Sequence, residues 1–117
     1  MTYKAFDVVA VPFPFTDSSQ TKKRPALVLS SHSEFGNPIG HSVMAMITSA
    51  KNAPWPLDIA ISDLAKAGLS ADSVIRMKIF TLDHRFVIKT LGSLRQDDRR
   101  AVMKAFSKLF LDIIFKS

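Results

Sequence analysis

Apolar residues in this chain fall mostly into short runs that alternate with polar positions, and a helical period is clear only near the end. The first run, Asp7 to Phe15, reads as a strand punctuated by Pro12 and Pro14, so its pairing is expected to fail near Pro12. Thr16–Lys23 is a polar loop. Pro25–Ser31 is a second strand whose continuous apolar character predicts burial on both faces. Pro25 has no N–H for a ladder, which puts it at the first strand position, and it pushes Arg24 toward extended geometry. The outcome is a guanidinium at the rim of a sheet, where it suits a phosphate or a carboxylate.

His32–Gly40 is rich in turn residues, and His41–Ser49 alternates as a third strand. Lys51–Pro56 forms a loop carrying the single tryptophan between two prolines, and Leu57–Ile61 alternates as a fourth strand. Ser62–Gly68 is one helical turn with Ser62 as N-cap and Gly68 just past its end. Ser73–Ile79 and Phe86–Leu94 read as further strands joined through Thr81–Arg85. Val102, Met103, Phe106, Leu109, Phe110, Ile113 and Ile114 then recur at helical spacing, with Asp97 and Asp98 in the first turn beside the positive dipole end. These elements predict a mainly β fold with added α, a small barrel with a short mid-chain helix and a C-terminal amphipathic helix. Leu111, Ile113, Ile114 and Phe115 are expected in the core first and at a subunit surface second, and Met44, Met46 and Met103 as core filling.

At 117 residues, with no linker or repeat, residues 1–117 form a single domain. The absence of cysteine excludes disulfides and thiolate metal sites without fixing the compartment. No N-terminal apolar signal and no run near the ~20 apolar residues of a membrane span are present, so a cytoplasmic protein with no membrane contact is expected. Sixteen Lys and Arg against ten Asp and Glu give a net charge of +6, which favours polyanions or an acidic protein partner. Nine phenylalanines and 47% hydrophobic residues leave apolar surface for a subunit interface. His32, His41 and His84 are scattered, with no helical pairing beside an acid, so no metal site is expected.

Val8-Val9-Ala10-Val11-Pro12-Phe13-Pro14-Phe15-Thr16-Asp17, followed by Lys23-Arg24-Pro25-Ala26-Leu27-Val28-Leu29, resembles the MazF/PemK family of toxins from type II toxin–antitoxin pairs. Met46-Ile47-Thr48-Ser49, Ser73-Val74-Ile75-Arg76 with Phe80-Thr81-Leu82-Asp83, and Thr90-Leu91-Gly92-Ser93-Leu94 agree in order and spacing. The resemblance implies an SH3-like barrel, a homodimer, and a metal-independent endoribonuclease that needs no cofactor and is neutralised by a cognate antitoxin. It implies cleavage of single-stranded RNA (mRNA) by 2′-OH attack, leaving a 2′,3′-cyclic phosphate and a 5′-OH.

Arg24 matches the family's arginine and would meet the scissile phosphate, stabilising developing charge and standing ready to exchange a proton. Its bland alternative is a solvated rim arginine or a partner of Asp17. Thr48 would hydrogen-bond a phosphate oxygen or help activate the 2′-OH, with Ser49 as a substitute; alternatively it is an ordinary strand threonine. The resemblance also makes Arg76 a candidate catalytic residue, in the Ser73–Arg76 stretch where many relatives carry Arg-x-Asp; here the third residue is Lys78, which keeps phosphate affinity and so is expected to bind RNA, but is a poor base unless desolvated. Lys22, Lys23 and Lys51 would grip RNA, and Trp55 would either stack a base or clip its loop onto the barrel. Asp83 is expected to bond backbone in a turn, and His41 or His84 would serve as acid or base only if placed near Arg24. Two rival readings stand beside the ribonuclease: a non-catalytic RNA- or antitoxin-binding barrel, suggested by Lys78, and a toxin acting on a DNA topoisomerase.

Overall fold

Strand alternation sorts the side chains of β1 (Asp7–Phe13) onto two buried faces: Val8 joins one apolar cluster, while Val9 and Val11 join another. The computed structural model describes residues 2–13 and 22–115. β1 is followed by β2 (Lys22–Val28), a π-type turn (His32–Gly36), the single-turn helix α1 (Asn37–Ile39), β3 (His41–Ser49) and β4 (Ile59–Ala60). Then come α2 (Leu64–Ala67), β5 (Ser73–Asp83), a 3-10 turn (His84–Phe86), β6 (Lys89–Ser93), α3 (Gln96–Leu109) and α4 (Leu111–Phe115). The six strands form one curled antiparallel sheet in the order β4-β5-β3-β2-β1-β6. The expected mainly β, barrel-like class is what is observed.

α3 lays Val102 and Ala105 on the face formed by Val8, Leu27, Ala45, Ile47 and Ile75. The other face buries Val9, Val11, Ala26, Val28 and Met44 under Tyr3, Leu82 and Val87. Because both faces are covered, Ala26, Leu27 and Val28 are all fully buried, as their unbroken apolar run predicts, the Leu and Val gaining roughly 1.5–3 kcal/mol each. α2 packs against β6 so closely that a Cβ on Gly92 would lie 2.2 Å from the Lys66 carbonyl oxygen.

Several boundaries differ from expectation, each for a physical reason. Pro25 lies inside β2 and not at its start, so Lys22 and Lys23 belong to a strand and not to a loop. β3 pairs only with Ala26–Val28, leaving Lys22–Pro25 as an overhanging ribbon with β1, where a missing N–H is tolerated. For the same reason β1 keeps its register with β2 through Pro12 and Phe13, although its pairing with β6 ends at Ala10. The expected strand end at Pro14 and Phe15, and Asp17 with them, lie outside the described residues. The fourth strand contracts to two residues, and the fifth runs on to Asp83, where its side chain caps the 3-10 turn.

Asp63, not Ser62, caps α2; Ser62 instead donates through its backbone N (3.0 Å) and Oγ (2.9 Å) to the buried Asp98 carboxylate, tying α3 to this stretch. The helical stripe is only partly core. α3 ends at Leu109, and beyond Phe110 the sheet offers no surface beneath α4, so Leu111, Ile113, Ile114 and Phe115 are exposed, as is Met103 on the outer side of α3.

Candidate active site

The register of β1, β2, β3 and β5 sets Phe13, Arg24, Met46, Thr48, Arg76 and Lys78 on one side of the sheet, beyond the end of the Tyr3-covered cluster. β5 is irregular at this point. Ala45 pairs with Ile79 and Ile47 with Ile75, so Arg76, Met77 and Lys78 stand opposite the single residue Met46. Such a bulge bends the strand and re-aims its side chains. The result is a cleft of about 190 Å³ lined by Phe13, Arg24, Thr48, Asn52, Trp55, Arg76 and Lys78 among others.

The Arg24 side chain is exposed and makes no hydrogen bond or ion pair with the described residues. Lys78 is also exposed, its Nζ 5.1 Å from the centre of the Phe13 ring. The Thr48 hydroxyl oxygen accepts a 2.6 Å hydrogen bond from the Asn52 amide, which fixes the side chain and leaves its O–H to donate. Ser49 faces away into the turn and accepts from the backbone N–H of Lys51 at 3.2 Å.

Arg76 is engaged differently. It is 9% exposed and forks onto Asp58 through Nε (3.2 Å) and Nη2 (3.0 Å), with a further 2.8 Å bond from Nη2 to the Ala53 carbonyl. Burial raises the Asp58 carboxyl, but hydrogen bonds from Arg76 and the Trp55 backbone, with the Arg76 charge, outweigh it and hold the group below its ordinary value. The Arg76 guanidinium also stacks under Trp55 at 4.9 Å, while the indole stays 45% exposed. Trp55 therefore packs on Arg76 while nearly half of it stays exposed.

The structure therefore brings Arg24, Thr48, Trp55, Arg76 and Lys78 into one cleft and leaves three other candidates outside it. Lys22 projects on the same side of β2 as Arg24; Lys23 projects on the opposite side; Lys51 sits in the turn after β3. Asn52 and Asp58 have roles that the sequence reading missed. The available signal was Arg76 itself: an arginine within the apolar strand sequence Val74–Met77 requires an acid nearby.

His41 and His84 are not beside Arg24. His84 Nε2 meets Ser42 Oγ at 2.7 Å, six residues along β3 from Thr48, or about 20 Å. Burial first, and then His41, press His84 below its ordinary pKa. Asp83 accepts from the Arg85 backbone (2.9 Å) and guanidinium, the latter chiefly holding its pKa down at about 2. Among the described residues no group of three or more His, Asp or Glu is placed to hold a metal ion, and no helix is long and apolar enough to cross a membrane.

Fold and cleft together define a small basic barrel-like protein with an open site suited to an anion. The family model for PemK-like, MazF-like toxins of type II toxin–antitoxin systems matches residues 4–110, and the chain belongs to that family. Among solved structures, a MazE-MazF complex from Deinococcus radiodurans aligns with TM-score 0.75 and 21% identity, covering 94% of this chain and 97% of that one. MazF from the same organism aligns at 0.73 with 20% identity, covering 94% and 97%. The Mycobacterium tuberculosis toxin MazF-mt6 aligns at 0.68 with 20% identity, covering 89% and 95%. At these identities the likeness is one of fold. No curated protein matches the chain in sequence.

Proposed function

We propose that this chain is a toxin that cuts single-stranded RNA without a metal ion and is silenced by a cognate antitoxin. The observation that carries the reading is the Arg24 guanidinium, without a partner among the described residues, in the same cleft as the donor-ready Thr48 hydroxyl and Lys78. In the proposed step the 2′-oxygen of one nucleotide forms a bond to the adjacent phosphorus and the bond from phosphorus to the 5′-oxygen breaks. The 2′-OH proton passes to solvent and the departing oxygen takes one from solvent, leaving a 2′,3′-cyclic phosphate and a 5′-OH. Arg24 and Lys78 face the phosphate oxygens as negative charge builds there, and Thr48 donates to one of them. Arg76 is a positioning residue, because its Nε and Nη2 donors are spent on Asp58 and Ala53 and hold Trp55 in place for a base.

An antitoxin partner and a homodimer belong to the same reading. The solved MazE-MazF complexes support the first, and the exposed apolar side chains of α4 the second. Lys78 in the place of a family acid supports one rival, a barrel that binds RNA without cutting it. The deciding experiment incubates the protein with single-stranded RNA and a chelator and maps the product ends. Cyclic-phosphate ends, lost in Arg24→Ala while the circular dichroism spectrum is retained, are expected. Binding without cleavage selects the rival, and full activity in Arg24→Ala refutes the assignment of that residue.

A further inference from the structure

On the far side of the β1–β2 ribbon lies a second opening of about 200 Å³, lined by Ala10, Lys23, Arg24, Pro25, Leu69, Lys89 and Leu91. Alternation explains its composition. Lys23 pairs with Pro12, and both Pro25 and Lys89 pair with Ala10, so these side chains share the face opposite Phe13 and Arg24's neighbours in the cleft. The floor is apolar, from Ala10, Pro25, Leu69 and Leu91, and the rim is cationic. The Lys23 and Lys89 side chains are exposed and make no ion pair or hydrogen bond with the described residues. Like charges on one rim, with no acid paired to them among the described residues, repel each other, and a bound anion relieves that repulsion. Arg24 lines both openings, so the two meet at this one residue of the ribbon.

Resting on the ribonuclease reading, we infer that this groove is a second nucleotide subsite on the same RNA strand: Lys23 and Lys89 hold a phosphate neighbouring the scissile one, and the apolar floor receives the face of a base. A nucleotide is the ligand that combines a flat apolar surface with a fixed negative charge, and a charged groove with stacking platforms is how single strands are held. Continuity with the cleft through Arg24 favours RNA over an acidic peptide.

The test measures binding of a non-cleavable 2′-O-methyl oligonucleotide of about twelve nucleotides, a length within the range of single-strand sites, as a function of salt. Each phosphate contact contributes about 0.7 to the slope of log affinity against log salt, so Lys23→Ala/Lys89→Ala should flatten the slope by about 1.4 and weaken binding about tenfold at physiological salt. Lys104→Ala/Lys108→Ala, which removes two exposed cations from α3, should leave the slope as in the parent. An equal flattening in that control overturns the subsite, since it would report net charge alone. So does a parent-like slope in Lys23→Ala/Lys89→Ala, whether or not that variant loses affinity for polyglutamate; such a loss would assign the groove to an acidic protein. If the parent neither binds nor cuts single-stranded RNA, the ribonuclease reading falls and takes the subsite with it. If the parent does both while the slope is unmoved, only the subsite falls.

Discussion

Replacing Asp58 by Ala removes the partner of the Arg76 guanidinium. Two charge-assisted bonds, at 3.2 and 3.0 Å, would be lost together with the acceptor for the Trp55 backbone N–H at 2.9 Å. Breaking a buried ion pair from one side typically costs about 3–5 kcal/mol, because the remaining charge is left desolvated. Here the two side chains keep 11% and 13% of their exposure, and the Ala53 carbonyl still holds one donor, so about 3 kcal/mol is expected. A domain of this size has about 5–15 kcal/mol in reserve, so the variant stays folded but melts about 10 °C lower. Urea denaturation at neutral pH measures the loss. Arg76→Met in the Asp58→Ala background should restore more than half of it, because the orphaned charge goes too. The pH dependence supplies an independent check. Asp58 has its carboxyl pKa lowered on folding, so its stabilisation is present above the unfolded value of about 3.9 and is lost as pH falls through the folded one. The gap between parent and variant should therefore narrow below about pH 4. A cost under about 1 kcal/mol at neutral pH, or a gap that persists unchanged into acid, would show that Arg76 does not depend on Asp58.

Thr48→Val keeps the side chain's shape and removes the donor, so RNA cleavage should fall about a hundredfold with an unchanged melting temperature; a smaller loss than about threefold argues against a phosphate contact. Gly92→Ala should destabilise by more than about 2 kcal/mol in thermal melts, because its Cβ would press on the backbone of Lys66 and Ala67, which cannot swing aside as a side chain can. His84, half-buried against Tyr3 and Ser42 and near His32, His41 and Asp83, has a lowered folded pKa. Its stabilisation is thus complete above the unfolded value of about 6.5 and is lost as pH falls through the folded one, so urea midpoints should drop between pH 7.5 and about 5 and should drop less in His84→Gln.

How far the chain could be read in advance depended on whether neighbours in sequence were also neighbours in packing. β3 was legible to the residue, because His41–Ser49 is an apolar-rich run bounded by turn residues and paired along its length, although Met44–Ile47 are buried on both faces and not in alternation. Lys22–Arg24 was not: three exposed cations look like loop, and only the pairing with Val11–Phe13 reveals a strand. The C-terminal stripe misled for the opposite reason. Its period continues past Phe110, but periodicity reports a helix face and not what lies beneath it, and beneath α4 the sheet has ended.

The cleft shows the same limit at finer grain. Arg24, Thr48 and Arg76 each stand out by residue type and surrounding motif, and they line one cleft, yet nothing local indicates that β5 places three residues against one of β3. That irregularity decides the division of labour. It presents Arg76 and Lys78 together to the cleft, where two uncompensated cations would repel each other. Asp58 neutralises the one that is buried, and Lys78 stands at the exposed lip, over Phe13. An acid at position 78 would instead stand as a second carboxylate near Arg76 and compete with Asp58 for it. The lysine and the buried Arg76–Asp58 pair are therefore one arrangement, and Lys78→Asp should loosen the Trp55 loop as well as remove a cation from the cleft. Tryptophan fluorescence reads the first effect directly; a spectrum and quenching rate identical to the parent's would separate the two residues and refute the coupling.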